Sequence, residues 1–247
     1  MSTRSLATRV AFVTGAGSGL GQATARRLAD AGACVACIDL DEQHAQRTQE
    51  AIGAVGGDAL AIACDVSDES AVQSAIERTM QRWARLDIAV NCAGVDYVLG
   101  VDEMTVAQWD RVLGVNLRGP FLVSRAAFPI MKEHGGGDIV NVASTASLRA
   151  WGNASAYHAS KWGLRGLSRA LGVEGRADDI RVTTIIPGGM NTHWFDRFPE
   201  QGIPMPDNEN LQDPATVADA ILYAVSLPRG SVMQEMMITP RAETSWP

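Results

Sequence analysis

Tyr157 and Lys161 stand four residues apart in the run Ser144–Lys161, STASLRAWGNASAYHASK. If the chain is helical from Ser155 onward, both side chains rise from one face, one turn apart, with roughly 5–6 Å between Cβ atoms. A free phenol titrates near ~10 and is a poor base at neutral pH, but a neighbouring cation favours the phenolate. Lowering that pKa by ~3 units takes about 4 kcal/mol of differential stabilisation. Ser144 would end a strand and offer a hydroxyl to the same place. Such a set suits proton transfer to or from an alcohol or carbonyl oxygen. Tyrosine and lysine at this spacing also occur on ordinary solvated helix faces. The pair gains meaning only beside a site for a hydride carrier.

The N-terminal part offers one. Val10–Thr14 (VAFVT) reads as a short buried strand that runs into Thr14–Gly21 (TGAGSGLG) and then the helical pattern QATARRLADAG. Strand, glycine-rich turn and helix N-terminus aim backbone N–H groups at an anion, and glycines let the backbone come close to a pyrophosphate. Gly15, Gly19 and Gly21 give the spacing G-x-x-x-G-x-G rather than G-x-G-x-x-G. A second strand, Cys34–Ile38, ends at Asp39, where a carboxylate would accept from ribose hydroxyls and repel a 2′-phosphate. Leu40 follows rather than Arg, and the glycine-rich turn carries no basic residue, which favours NAD over NADP. Asp39 also has the chemistry of a helix N-cap and could serve as both.

The other elements follow from periodicity. Strands are expected at Ala59–Cys64 (ending at Asp65), Ile88–Val90 (leading into Asn91–Gly94), Asp138–Ala143, Ile180–Ile186 and about Val232–Ile238. Ser67 is expected to cap a helix over Asp68–Arg85. Thr105 and Gln108 have capping-box spacing at the head of a long helix that ends near Gly135–Gly137. Asn116 lies in its apolar pattern, either as a satisfied core residue or as an anchor near the site. Asp213–Pro214 opens a further helix. Strands and helices alternate, so the fold class is α/β: a doubly wound, seven-stranded, mostly parallel sheet with helices on both faces. Ligands on such sheets bind at the carboxyl ends of strands, and Gly15, Asp39, Asp65, Asn91, Ser144 and Pro187 all fall there.

These motifs resemble those of the short-chain dehydrogenase/reductase family over essentially the whole chain. The family's T-G-x-x-x-G-x-G matches Thr14–Gly21 and its acidic ribose position matches Asp39. Its adenine-side Asp matches Asp65 with Val66, and its N-N-A-G matches Asn91–Gly94, with Cys92 in place of the second Asn. That departure is expected to affect only local support of the sheet. The resemblance implies a single Rossmann-type domain over residues 1–247. It implies Asn116, Ser144, Tyr157 and Lys161 as catalytic residues. Gly15, Ser18, Gly19, Leu20, Gly21, Asp39, Leu40, Asp65, Val66, Asn91, Ala93, Gly94, Pro187, Gly188, Met190 and Thr192 would hold the cofactor, together with Tyr157 and Lys161. The Tyr157–Lys161 spacing resembles the carbonyl/alcohol branch rather than the enoyl-reductase branch. In the family's mechanism Tyr157 exchanges a proton with the substrate oxygen, Lys161 lowers the tyrosine pKa and holds the nicotinamide ribose, Ser144 bonds the substrate oxygen, and Asn116 positions a water. The family also suggests a homotetramer.

Residues 189–212 form the least regular stretch, rich in proline and aromatics, and read as a substrate lid, with a floppy surface insertion as the competitor. Pocket candidates are Ser144, Asp96, Tyr97, Arg149, Trp151, Trp194 and Phe195, which favour a partly apolar, cyclic or aryl substrate. Arg149 could meet a carboxylate, although an exposed arginine is the commoner case. His193 is expected to be solvated. Trp246 in the C-terminal tail packs on the sheet or covers a neighbouring subunit's site.

The net charge of −7 argues against phosphate-driven nucleic-acid binding. No apolar run reaches the ~20 residues that span a bilayer, and the start MSTRSLATRV lacks a hydrophobic signal core, so a cytoplasmic location is expected. Cys34 and Cys37 have C-x-x-C spacing, but residues i and i+3 of a strand face opposite ways, so the pair is not a chelate and no metal is expected. The expected activity is NAD-dependent interconversion of a secondary alcohol and a ketone. An NADPH-dependent 3-oxoacyl-[acyl-carrier-protein] reductase and a non-catalytic NAD-binding regulatory protein are the alternatives.

Overall fold

The computed structural model describes residues 6–196, 198, 199 and 203–243. Trp246 and part of the expected lid, Arg197 and Glu200–Gly202, lie outside the described residues. The described residues include seven strands: β1 (Val10–Thr14), β2 (Cys34–Asp39), β3 (Ala59–Ala63), β4 (Ile88–Asn91), β5 (Gly137–Val142), β6 (Ile180–Pro187) and β7 (Glu235–Ile238). They form one sheet in the order β3-β2-β1-β4-β5-β6-β7. All six pairings are parallel, one step beyond the mostly parallel sheet expected.

Parallel strands need crossovers, and seven helices supply them: α1 (Gly19–Asp30), α2 (Glu42–Gly53), α3 (Glu69–Trp83), α4 (Val106–Leu113), α5 (Gly119–Glu133), α6 (Ser155–Glu174) and α7 (Pro214–Ser226). Alternate strand residues point to opposite faces and build two cores. Ala11 and Val13 of β1 pack with Leu28, Ile52 and Ile221 of α1, α2 and α7. Phe12, between them, packs with Ile76, Val123 and Leu171 of α3, α5 and α6. Cys37 is buried in the first core, and the Cys34 Sγ lies 3.7 Å from an Asp58 carboxylate oxygen.

Several boundaries depart from expectation for local reasons. Asp68, not Ser67, caps α3, accepting from the Ala71 N–H, whereas Ser67 donates its N–H and hydroxyl to Asp65 at 2.9 and 2.7 Å. A carboxylate two residues upstream captures Ser67, and the ionised Asp68 suits the helix dipole. The Thr105–Gln108 capping box forms as expected, but the long helix is broken by a π-helical turn, Gly114–Arg118, that carries Asn116. β7 starts at Glu235 instead of Val232, because the Ser231 carbonyl accepts from Arg181 and the ladder begins only at Glu235–Thr184.

That arginine belongs to a clasp at the amino ends of the strands. Asp138 accepts from Arg9 at 2.5 Å and from Arg181 at 2.7 Å, and Arg181 also donates to the carbonyls of Leu227, Pro228 and Ser231. Removing one partner of a buried charge set leaves the others unpaired, at a cost of about 3–5 kcal/mol. Asp138→Ala is therefore expected to lower the thermal unfolding midpoint markedly without altering cofactor affinity; an unchanged midpoint would show that the clasp contributes nothing to stability.

Candidate active site

β1 lies between β2 and β4, so the chain diverges to either side at its carboxyl end and leaves a crevice there. A cavity of about 1080 Å³ follows this edge. At one end it is lined by Gly15, Ser18, Gly19, Leu20, Gly21, Asp39, Leu40, Asp65 and Val66. Ala93, Gly94, Lys161, Pro187, Gly188, Met190 and Thr192 line its middle, and Ser144, Tyr157, Asp96, Arg149, Trp151, Trp194 and Phe195 its other end.

The glycine-rich turn is tailored to its neighbours. Gly15 has φ +65°, and a Cβ there would stand 3.0 Å from the Ala93 backbone. A Cβ on Gly21 would collide with the Gly15 carbonyl. Thr14 fastens this turn to the next, its Oγ1 accepting from the Cys92 and Ala93 N–H groups at 3.1 Å each. Asp39 accepts from the Gly17 N–H at 2.8 Å and from the Asp41 N–H at 3.1 Å. The α2 cap is Asp41, not Asp39. Asp39 thus bridges the two turns that would flank a ribose.

At the other end, α6 presents Tyr157 and Lys161 on one face, as their spacing requires. The Lys161 Nζ lies 5.6 Å from the centre of the Tyr157 ring and donates to the Val142 carbonyl at 2.8 Å. Burial lowers the Lys161 pKa to about 8, against the opposing influence of Cys92 and Asp96. The Tyr157 ring packs at 5.6 Å and 51° against Trp194. Ser144 caps a short 3₁₀ turn, Thr145–Ser147, its Oγ accepting from the Ala146 N–H at 3.1 Å.

A family model described as short chain dehydrogenase matches residues 9–201. The chain belongs to the short-chain dehydrogenase/reductase family. It is 41% identical over 179 residues to D-threitol dehydrogenase of Mycolicibacterium smegmatis, covering 72% of this chain and 69% of that protein. The crystal structure of levodione reductase superposes with a TM-score of 0.88 at 30% identity, covering 97% of this chain and 99% of that one. That of a metagenomic short-chain oxidoreductase in complex with NADP gives 0.84 at 31% identity, covering 97% and 100%.

As a short-chain dehydrogenase/reductase the protein is an oxidoreductase, and the family binds a nicotinamide cofactor. The residues present fit such a group. Gly15 and Gly21 let the turn fold closely on its own backbone and on Ala93, the N-terminus of α1 lines the cavity, and the Asp39 carboxylate lines the same end.

Two of the residues named from sequence lie outside the cavity lining. The Asn91 side chain is buried and donates to Asn141 at 2.8 Å, so it ties β4 to β5. The Asn116 side chain clamps the Val95 backbone, accepting from its N–H and donating to its carbonyl at 2.8 Å each, and donates to Ser160 at 3.1 Å. Cys92, expected from its place in the motif to affect only local support of the sheet, lines the cavity beside Lys161, and burial raises its thiol pKa to about 12. Arg149, for which an exposed position was the commoner expectation, is mostly buried and paired with Glu243. His193 is solvated as expected, 83% exposed beside Asp196.

Sequence reasoning misses Arg111, Glu243 and His158. Arg111 donates to Asp65 at 2.7 Å and to Ser67 at 3.0 Å. Burial tends to raise the Asp65 pKa, but hydrogen bonds from Ser67 and Arg111 hold it below the usual value. His158 accepts from the Trp151 N–H at 3.1 Å and donates from Nδ1 to the Ala146 carbonyl at 2.9 Å, pinning the loop between Ser144 and α6. Its place beside Tyr157 is the only hint the sequence offers.

Proposed function

We propose that the protein is an NAD-dependent oxidoreductase that interconverts a secondary alcohol and a ketone, with Tyr157 as general acid and base. The observation that carries this is the Tyr157–Lys161 pair, set on one helix face at the end of a cavity whose far end is Asp39. The cofactor supplies the hydride acceptor or donor. In oxidation Tyr157 takes the alcohol proton, and in reduction it returns one to the carbonyl oxygen. The buried Lys161 ammonium stabilises the phenolate and offers donors to a ribose. Ser144 donates to the substrate oxygen. Asn116 fixes the turn that faces Lys161 and is assigned the water-anchoring role. Trp194 keeps bulk water from the reacting oxygen, which assigns residues 189–212 the role of a lid within a single domain of residues 1–247.

The choice of NAD rests on charge. Asp39 would repel a 2′-phosphate, and Leu40, which follows it, is uncharged and exposed. The family's alcohol and ketone substrates, seen in the names of D-threitol dehydrogenase and levodione reductase, agree with a pocket walled by Trp151, Trp194 and Phe195. The deciding assay offers NAD or NADP with cyclic, aryl, sugar and hydroxy-acid secondary alcohols and follows the absorbance of the reduced cofactor. A Tyr157-dependent signal with NAD is expected; one seen only with NADP would bring the acyl-carrier-protein reductase forward.

A homotetramer is part of the same reading. No helix among the described residues is long and apolar enough to cross a membrane, yet large apolar side chains are exposed on two separate faces. Phe121 and Trp162 lie on α5 and α6, and Tyr223 and Met237 on α7 and β7. Two such faces suit two dyads. Light scattering is expected to return four times the 26.3 kDa chain mass; a monomer would sink the assignment.

A further inference from the structure

Every basic side chain that lines the cavity among the described residues already has an internal partner. Arg111 is held by Asp65, His193 by Asp196, Lys161 by the Val142 carbonyl and Arg149 by Glu243. Arg149 stands on the substrate side, five residues past Ser144, with its guanidinium 5.5 Å from the Trp151 ring and 3.3 Å from the Thr145 hydroxyl. Its Nε is buried without a hydrogen-bond partner. The guanidinium would therefore be well placed to receive a substrate carboxylate, but Glu243 occupies that role.

Glu243 reaches this position by design of the backbone. The chain leaves β7 and turns at Pro240, whose carbonyl accepts from the Glu243 N–H at 3.1 Å. The turn is fastened by bonds from the Gly188 N–H and the Gln212 side chain to the Ile238 carbonyl, at 2.8 and 2.9 Å. Gly188 admits the segment because it lacks a side chain: a Cβ there would run into the Glu243 carboxylate and stand 2.8 Å from the Pro240 ring. The Glu243 side chain is 10% exposed and that of Arg149 20%, so water screens the pair weakly. Asp96 adds a second carboxylate to the same end of the cavity.

We infer that Glu243 is a specificity-determining residue: by neutralising Arg149 it closes the substrate pocket to anions, so the substrates are uncharged secondary alcohols and ketones. This rests on the reaction proposed above and names its substrate class. Glutamine in place of Glu243 keeps the shape and removes the charge, which leaves the Arg149 guanidinium able to pair with a ligand carboxylate.

The experiment compares kcat/KM for 3-hydroxycyclohexanecarboxylate and 3-methylcyclohexanol, which differ mainly in charge. The wild-type chain is expected to prefer the neutral alcohol, and Glu243→Gln to raise the anionic-to-neutral ratio about 10- to 100-fold, the range of one charge-assisted hydrogen-bonded pair. Arg149→Gln, which leaves Glu243 unpaired, is expected to lower that ratio, and the double variant to return it toward the wild-type value. A wild type that prefers the carboxylate, or a ratio that moves less than about threefold in Glu243→Gln, overturns the inference. Calorimetric titration of cyclohexanecarboxylate into NAD-saturated protein reads the same charge rule without turnover. Tighter binding by Glu243→Gln supports it and equal binding overturns it. If neither alcohol reacts while the variant binds the carboxylate more tightly, the proposed reaction on this class of alcohol fails and the charge rule stands.

Discussion

Tyr157→Phe is expected to reduce kcat by about 10²–10⁴-fold, the usual contribution of a positioned acid–base group. The substitution removes one oxygen and keeps the ring, so the packing against Trp194 at 5.6 Å and the place beside Lys161 survive. Without the hydroxyl there is no group at the reacting oxygen to take the alcohol proton. Ser144 cannot replace it, since a serine hydroxyl has no neighbouring base here: its Oγ accepts from the Ala146 N–H, and the nearby His158 is bonded on both ring nitrogens to the loop backbone. NADH affinity, followed by fluorescence titration, should stay within about twofold, because the glycine-rich turn, Asp39 and Lys161 are untouched. A variant that kept a tenth or more of wild-type turnover would falsify Tyr157 as the acid and base.

The second large effect is on cofactor choice. Replacing Asp39 by Ser together with Leu40 by Arg is expected to move the NAD-to-NADP ratio of kcat/KM by about 10²–10³-fold toward NADP. Two changes act together: a carboxylate that repels a 2′-phosphate is lost, and a guanidinium that can pair with it is gained. Position 40 is 63% exposed, so an arginine there has room to reach. Asp39 also holds the Gly17 and Asp41 N–H groups, and the serine hydroxyl can accept from only part of that set. Absolute rates with both cofactors are therefore expected to fall even as the preference reverses. A wild-type chain that already favours NADP, or a double variant that still favours NAD, would remove Asp39 from this role.

The sheet and the cavity edge are legible in the sequence because buried parallel strands are nearly continuous apolar runs, and β1 to β6 each end at or within two residues of a Gly, Asp, Asn or Ser. The pocket residues Gly15, Asp39, Asp65, Ser144 and Pro187 follow directly from that pattern. What escapes is decided by partners distant in sequence. Asn116 reads equally as core or anchor because its use depends on Val95 and on a π turn that no periodicity marks. Arg149 reads as exposed because the carboxylate that buries it lies 94 residues away, past the end of β7. Arg111 falls on an ordinary amphipathic helix, and only the fold shows that its face meets Asp65. The Ser67 and Asp68 caps are adjacent competitors, and the tie is broken by the Asp65 carboxylate.

The Arg9–Asp138–Arg181 clasp has a consequence for how such a molecule can change. It sits at the amino edge of the sheet, whereas the reacting groups sit at the carboxyl edge. From Arg181 to Pro187 the chain climbs β6 at ~3.3 Å per residue, which separates the two edges by about 20 Å. Endurance and selectivity are thus lodged in different places. A graft that exchanged residues 189–212 for the corresponding stretch of a relative would leave the clasp untouched and keep the host's thermal robustness, while changing the cavity wall that Trp194 and Phe195 supply and leaving the Arg149–Glu243 pair in place. Gly188 marks the seam of such a graft: the donor stretch must tolerate the Glu243 segment folded against it, or bring its own closing segment along.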